Sequence, residues 1–489
     1  MNIIIIGSGL GGLAAGIRLQ ALGHQVTIVE KRDKPGGRAY CYQQDGFTFD
    51  GGPTIITAPG LIEDLFTLAD RSMSDYVQLV KLDPFYRVRF PDGSVFNYND
   101  NYEQLIEQIR EFNPGDVQGY QRFCRAADLV FSKGLPLMTK PFHKFRDMLK
   151  VAPAMIQLQS YKSVAGFVNQ YIQDERLRQV FSFHPLLIGG NPFNSTSIYA
   201  MIHKLEQVFG IWFAMGGTGA LVAALVRLFE EIGGVLCVNA EVEEIVIDEA
   251  TRKAKGVILK SQEMLEAEAV VSNGDVAFTY LNLISPQFRR KYSDRQIKSL
   301  RHSISLFVVY FGTNRRYNNM AHHEIIMGPN YRELMDDLFR RKHLSSDFAL
   351  YLHRPTATDP SLAPSGCDCW YVLSPVPNLA GDTDWKIMAK PYRDRLIQFL
   401  ENQYMPNLSQ HIVTENYIDP LHFQNTLNSY LGSAFSLEPT LMQSAWFRPH
   451  NVSEDIPNLY FVGAGTHPGA GIPGVISSAK IVSDLVGKA

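Results

Sequence analysis

The chain has 489 residues, 45% hydrophobic and 11% aromatic, with 46 lysines and arginines against 49 aspartates and glutamates. This length and composition predict a globular protein of two or three lobes, and the near balance of charge gives no overall field that would attract nucleic acid. The five cysteines are scattered and odd in number, which does not indicate a disulfide framework, so a reducing cytoplasm fits best.

Neither a metal site nor a membrane-spanning segment is indicated. Cys367 and Cys369 have no second pair at zinc spacing, and the histidines, including His322 and His323, form no His-x-x-x-His helix face. The longest apolar run, residues 305–312, has the length of a strand rather than that of a membrane helix. The apolar start of the chain runs directly into a glycine loop without a basic leader, which is not typical of a signal peptide.

The chain begins with a pattern typical of dinucleotide binding. A β-branched strand, a glycine loop and an apolar-periodic helix are predicted in residues 2–21. Gly7 permits the tight turn, Gly9 lets the backbone approach a pyrophosphate, and Gly12 allows close packing of the helix. The next strand ends at Glu30, whose carboxylate would accept the ribose hydroxyls and repel a 2′-phosphate. The pattern therefore predicts NAD or FAD and disfavours NADP.

The segment after Glu30 favours FAD. Gly36 and Gly37 permit a sharp turn, and Arg38 offers a bidentate donor for a pyrophosphate. Taken alone, Arg38 has the alternative interpretation of a solvated surface arginine. With the DGGPT segment at 50–54, however, this stretch resembles the FAD-dependent amine oxidase and phytoene desaturase superfamily. The resemblance implies that Gly-Gly-Arg flanks the diphosphate and that residues 50–54 run near the flavin.

A second glycine-rich stretch, NLYFVGAGTHPGAGIPGVISS, occupies residues 458–478. It predicts a buried strand, a glycine turn and a helix beginning near Gly474. Glycines such as Gly463 and Gly465 allow a flat ring to lie against the backbone, and the helix N-terminus can stabilise negative charge on a reduced flavin. This stretch closely resembles the signature of the bacterial-type phytoene desaturases, and the resemblance extends over essentially the whole chain.

The resemblance and the strand pattern together predict the domain organisation. The fold class is α/β, with a Rossmann-type FAD-binding domain built from discontinuous segments and a mixed-sheet substrate domain that carries a helical cap. In the family, the residue at Val242 meets the adenine end through its backbone. The predicted segments are 1–75, 214–275 and 456–489 for the FAD-binding domain, and 76–213 and 276–455 for the substrate domain.

The resemblance implies a flavin-dependent oxidoreductase that acts on CH–CH groups and converts phytoene to lycopene in successive desaturations. Because phytoene is an uncharged hydrocarbon, an apolar tunnel is expected. No second nucleotide loop is present, so oxygen or a membrane quinone is the expected electron acceptor. Three alternatives stay open: a desaturase or ketolase of another carotenoid, such as a C30 diapo precursor; an amine oxidase of the same fold; and a prenyl-binding protein of that fold without flavin.

Arg146 and Asp147 are the catalytic candidates. They lie among apolar residues at 141–155, where a carboxylate would have a perturbed pKa unless it were paired. The family has a similar sequence at this place. An adjacent Arg-Asp couple could move protons or steady transient positive charge. The alternative is a surface arginine beside a capping aspartate, because neighbouring residues of a helix face different directions.

Residues 129–173 contain six lysines and arginines but one acidic residue, Asp147, and these are interleaved with apolar side chains. This composition is typical of an interfacial helix attracted to anionic lipid. It predicts a cytoplasmic protein bound peripherally to the inner face of the cell membrane, where it would draw its substrate from lipid. A helical cap with a solvated basic face is the alternative, and the two interpretations are compatible.

Overall fold

Twenty strands and sixteen α-helices are distributed over residues 1–489, all of which the computed structural model describes. The strands are β1 (Asn2–Ile6), β2 (Gln25–Val29), β3 (Cys41–Gln44), β4 (Phe47–Asp50), β5 (Ile56–Thr57), β6 (Leu79–Lys81), β7 (Tyr86–Arg89), β8 (Val95–Tyr98), β9 (Ile211–Ala214), β10 (Val235–Cys237), β11 (Val242–Ile247), β12 (Ala254–Leu259), β13 (Met264–Glu266), β14 (Ala269–Ser272), β15 (Ser305–Thr313), β16 (His323–Ile326), β17 (Leu350–His353), β18 (Asp368–Val376), β19 (Ile412–Ile418) and β20 (Leu459–Phe461). The helices are α1 (Leu10–Ala21), α2 (Gly60–Thr67), α3 (Tyr102–Phe112), α4 (Asp116–Gly134), α5 (Phe145–Gln157), α6 (Val164–Val168), α7 (Glu175–Ser182), α8 (Met201–Phe209), α9 (Thr218–Glu231), α10 (Val276–Phe278), α11 (Asp294–Ser299), α12 (Tyr331–Asp336), α13 (Trp385–Gln403), α14 (Leu408–His411), α15 (Pro420–Asn425) and α16 (Ile472–Val486).

A five-stranded parallel sheet, in the order β10-β2-β1-β14-β20, lies between two apolar layers. Ile3 and Ile5 of β1 pack into the core shared with α1, α9 and α16, whereas Ile4 and Ile6 pack on the other side, toward the antiparallel sheet β11-β12-β13. A strand buried on both faces needs a continuous apolar run, which explains the β-branched start of the chain. The predicted Rossmann-type α/β fold is confirmed.

The second large sheet has seven strands in the order β19-β15-β18-β17-β16-β7-β8. It is mixed, because β16 and β7 run parallel while the other neighbours run antiparallel. β7 and β8 form an antiparallel hairpin whose turn contains Asp92 and Gly93. Helix α13 packs over one face through a core that includes Phe307, Trp370 and Leu396.

Helices α3 to α8 form a helical layer beside β7 and β8, with a core that includes Phe123, Phe167 and Phe181. Helix α5 differs from the others, since none of its residues is fully buried. Of the two smaller sheets, β5-β9-β6 contacts α8 of this layer and α16 beside the parallel sheet, whereas β3-β4 packs against β18 of the seven-stranded sheet. The space enclosed between the layers is the candidate site.

Candidate active site

One large cavity, of about 550 Å³, extends from the carboxyl ends of the parallel strands to helix α5. Its lining is mainly hydrophobic. Gly7 and Gly463 lie at one end, where β1 and β20 finish, and Met148 and Met155 lie at the other. In open α/β sheets the carboxyl edge of the strands is where ligands bind, so the cavity occupies the expected position.

The first glycine loop forms a backbone cradle at the sheet end of the cavity. Gly7 has a φ of +92°, and a Cβ on Gly12 would stand 2.1 Å from the carbonyl oxygen of Gly7. Gly9 caps α1 without a side chain, so the N–H groups of the first helical turn have no intrahelical acceptor. Such an end attracts a phosphate. Gly7, Gly9 and Gly37 line the cavity, whereas Gly12 packs behind it.

Glu30 lies at the end of β2, lines the cavity and is 4% exposed. Its Oε2 accepts hydrogen bonds from the backbone N–H of Ser8 at 2.9 Å and from the Ser8 hydroxyl at 2.7 Å. Its Oε1 accepts from the backbone N–H of Arg32 at 2.9 Å. These bonds hold the carboxylate at the cavity wall, close to the glycine loop.

Arg38 is partly buried in the cavity wall and lacks an anionic hydrogen-bond partner there. Its Nη2 donates to the hydroxyl of Ser429 at 2.8 Å, while its Nε has no partner. Burial lowers the pKa of Arg38, and nearby Asp275 acts in the opposite direction. An unsatisfied buried guanidinium donor beside a glycine loop matches the needs of a pyrophosphate.

The C-terminal glycines close the same end of the cavity. Gly463, with a φ of +97°, and Gly474 both line it, and a Cβ on Gly474 would stand 2.5 Å from the carbonyl oxygen of Gly469. Helix α16 begins here without a side-chain cap. Val242 lines the cavity as the first residue of β11. Gly465 does not line it; a Cβ there would meet the Val276 side chain at 2.6 Å.

The structure does not bring Arg146 and Asp147 to the cavity. The face of α5 that lines it consists of Met148, Val151 and Met155. Arg146 is exposed, and Oδ1 of Asp147 lies 3.5 Å from Nζ of Lys150 on the outer side. The arrangement is that of the surface alternative, so the catalytic role stays a prediction without geometric support.

Several polar residues of the lining were not predicted, and two of them have informative contacts. Asn273 follows β14, and its Nδ2 donates to the carbonyl oxygen of Gly7 at 3.3 Å. Glu206, in α8, is 1% exposed and accepts from the Tyr86 hydroxyl at 2.9 Å, with Nε2 of His184 at 3.0 Å. The position of Asn273 at the end of a parallel strand was an available signal. No sequence signal indicated Glu206, since it looks like an ordinary helical glutamate.

The glycine cradle, the two helix N-termini and the unpaired Arg38 donor fit a flavin dinucleotide. Comparison with known proteins agrees. The family model described as flavin containing amine oxidoreductase matches residues 10–487. A phytoene desaturase (lycopene-forming) of Pantoea ananas is 50% identical over 484 residues, covering 99% of this chain and 98% of the relative. One of the same name from Pseudescherichia vulneris is 50% identical over 487 residues, covering 99% and 98%.

The chain belongs to the phytoene desaturase family of the flavin-containing amine oxidoreductases. It is an FAD-dependent oxidoreductase that acts on CH–CH bonds of a carotenoid precursor, and the alternative functions are not favoured. An oxidoreductase structure from Methanosarcina mazei superposes with a TM-score of 0.66 at 16% identity, covering 100% of both chains, which shows the shared fold.

Proposed function

We propose that this phytoene desaturase family member converts phytoene to lycopene, introducing four double bonds in succession. The observation that carries the proposal is the full-length similarity to lycopene-forming relatives. The cavity supports it, since a hydrophobic lining joined to a glycine-lined pocket fits a long hydrocarbon that meets a flavin. Residues 1–75, 214–275 and 456–489 would form the FAD-binding domain, because all five parallel strands come from them.

The chain's own residues would bind the cofactor and exclude water. Arg38 and the first turn of α1 would hold the pyrophosphate, Glu30 the ribose, and the backbone at Val242 the adenine end. When bound, FAD accepts a hydride from an allylic carbon for each new double bond, while the adjacent carbon loses a proton. Oxygen or a membrane quinone would then take up the two electrons. The uncapped N-terminus of α16 favours negative charge in the neighbouring part of the cavity.

Glu206 is the stronger candidate for the proton acceptor. It is the one acidic residue that segments 76–213 and 276–455 contribute to the cavity lining. Hydrogen bonds with Tyr86 and His184 hold its carboxylate in a fixed position at the cavity wall. Arg146 and Asp147 remain the competing pair, but helix α5 would have to rotate before either could reach the cavity.

The experiment is expression in cells that accumulate phytoene, followed by chromatography of the pigments. We expect lycopene, with eight hydrogens fewer than phytoene. A parallel culture that accumulates the C30 diapo precursor tests the chain-length alternative. Unchanged phytoene, or conversion of the C30 precursor alone, would reject the proposal, and a product with fewer new double bonds would reject the four-step sequence.

We also propose that residues 129–173 form a membrane-docking surface, which would place the enzyme on the inner face of the cell membrane. On α5 the side chains of Phe145, Leu149 and Ile156 are 53%, 58% and 68% exposed. The opposite face of the same helix lines the cavity. The helix therefore stands between solvent and the substrate space, as an entry gate would. No helix is long and apolar enough to cross a bilayer.

A further inference from the structure

Three buried histidines meet at one end of the seven-stranded sheet, outside the lining of the large cavity. His323 opens β16 and lies directly opposite His353, which ends β17. His322 immediately precedes β16. The ring centroids are 4.5 Å apart for His322 and His323, 4.9 Å for His322 and His353, and 5.3 Å for His323 and His353.

Each ring has one nitrogen close to a polar group outside the cluster. The Tyr351 hydroxyl lies 2.6 Å from Nδ1 of His323, and the Thr358 hydroxyl lies 2.7 Å from Nδ1 of His322. Nε2 of His353 lies 3.4 Å from Oδ2 of Asp50. Metal-binding histidines are commonly oriented in this way, with the second ring nitrogen held by a carboxylate, a hydroxyl or a carbonyl group.

The remaining nitrogens have no hydrogen-bond partner. Nε2 of His322, Nε2 of His323 and both ring nitrogens of His353 are buried and unsatisfied, since the 3.4 Å approach of His353 to Asp50 is too long or poorly aligned for a hydrogen bond. One nitrogen from each ring lies within 4.8 Å of the other two. Buried polar atoms are nearly always satisfied, so unsatisfied nitrogens on all three rings indicate a shared ligand.

We propose that His322, His323 and His353 bind one Zn²⁺ ion, with Asp50 supporting His353 from outside the coordination sphere. Three imidazoles suit zinc or a similar borderline cation, whereas Ca²⁺ and Mg²⁺ require oxygen ligands. At zinc–nitrogen distances of about 2.0–2.1 Å the nitrogens would stand about 3.4 Å apart. The nitrogens now lie within 4.8 Å of one another, so binding would draw the three rings closer together. The Asp50 carboxylate would offset part of the charge of the cation.

The ion would connect the sheet to the wall of the substrate cavity. Asp50 ends β4 and leads into Gly51 and Gly52, which line the cavity. The hydroxyls of Tyr351 and Tyr371 both meet Thr54 of the same wall, at 2.9 and 2.7 Å. Zinc at this place would therefore stabilise the fold and the cavity wall without touching substrate.

The test uses full-length holoenzyme purified from zinc-supplied cells, with metal content measured by mass spectrometry. We expect about one zinc ion per chain, and X-ray absorption should show imidazole nitrogens at about 2.0–2.1 Å. The variant His323→Gln/His353→Gln should contain less than about a tenth of this zinc. The matched control is His411→Gln, on the surface beside Asn314, which should retain it.

Since the double variant can fail to fold, the wild type gives an independent measurement. Wild-type chain refolded with FAD and Zn²⁺ should melt at a higher temperature than chain refolded with FAD and a chelator. Folded wild type that contains no stoichiometric metal, with equal melting temperatures in the two refolding conditions, would overturn the proposal and leave a buried water as the shared ligand. Equal zinc in the wild type and a folded double variant would also overturn it.

Discussion

Gly12 lies directly against Gly7, so that a Cβ on Gly12 would stand 2.1 Å from the Gly7 carbonyl oxygen. Because this clash is with backbone, no side-chain rotation relieves it, and Gly12→Ala must distort the turn that faces the cavity. We expect the variant to lose most of its FAD, as measured by flavin absorbance per folded chain. Gly60→Ala is the control, since nothing lies within 4 Å of its Cβ. Full FAD occupancy in folded Gly12→Ala would contradict this placement.

The second prediction concerns Arg38. Arg38→Lys keeps the positive charge but removes the planar fork that binds a pyrophosphate through two bonds. We expect FAD to bind about ten- to a hundredfold more weakly, which corresponds to the loss of one charge-assisted hydrogen bond. Titration of the apoprotein with FAD measures this. Arg125→Lys, at an exposed position, should bind FAD normally. Unchanged affinity in Arg38→Lys would remove Arg38 from the pyrophosphate site.

The flavin-side loops could be predicted from sequence because each depends on local geometry. Gly7, Gly9 and Glu30 follow one another in a strand, turn, helix and strand whose spacing is set by the turn itself. The partner of Arg38 could not be predicted in this way, since Ser429 lies 391 positions along the chain. Only the folded chain brings the two residues together.

Strand β16 shows why part of the substrate sheet was not predicted. Its sequence, HEII, contains Glu324, and because glutamate is rarely buried, the sequence alone does not predict a strand inside a sheet. In the structure Glu324 is nevertheless fully buried. The fold resolves this because Nε of Arg89, on the neighbouring strand β7, lies 2.7 Å from Oε2 of Glu324. Similarly, the apolar surroundings of Asp147 did not indicate which face of α5 would turn inward, since this depends on packing against residues distant in sequence.

The two candidate proton acceptors, Glu206 and Asp147, can be distinguished by how their substitution changes turnover. Glu206→Gln can keep both hydrogen bonds but cannot take up a proton, so we expect turnover to fall by about 10² or more with flavin content unchanged. Asp147→Asn removes only a partly exposed ion pair, and its turnover should stay within about twofold of the wild type. Rates of phytoene loss at saturating substrate distinguish them. The reverse result would return the catalytic role to Arg146 and Asp147.

Because of His467, we expect the free energy of unfolding to decrease in acid. Burial is the main reason why its pKa falls from 6.5 to about 4; Arg448 and His450 lower it further, and its hydrogen bond to Leu137 opposes them. The unfolded chain therefore takes up the proton first, and stability present above pH 6.5 is lost as the pH falls toward 4. This group contributes roughly 3 kcal/mol at most. Urea unfolding at pH 7 and pH 4.5 should show a smaller difference for His467→Gln than for the wild type, and equal differences would contradict the assignment.

The last prediction concerns the docking surface at residues 129–173. Lys140, Lys144 and Lys150 are exposed, as are Phe145 and Leu149 of the same segment. Changing the three lysines to glutamate replaces attraction to anionic lipid with repulsion, at about 1 kcal/mol for each basic residue lost near the surface. We expect the wild type to float with vesicles in proportion to their phosphatidylglycerol content, and the triple variant to remain in the soluble fraction.

A control variant separates this surface from the effect of net charge. Changing Lys253, Lys386 and Lys488 to glutamate alters the charge by the same amount at exposed positions elsewhere, so its vesicle binding should resemble that of the wild type. If both triple variants lose binding equally, the attraction belongs to the whole protein and not to this surface. Equal binding of wild type and the first variant to neutral phosphatidylcholine vesicles, or no binding by either, would rule out a basic docking surface. Helix α5 would then be a cap with a solvated outer face.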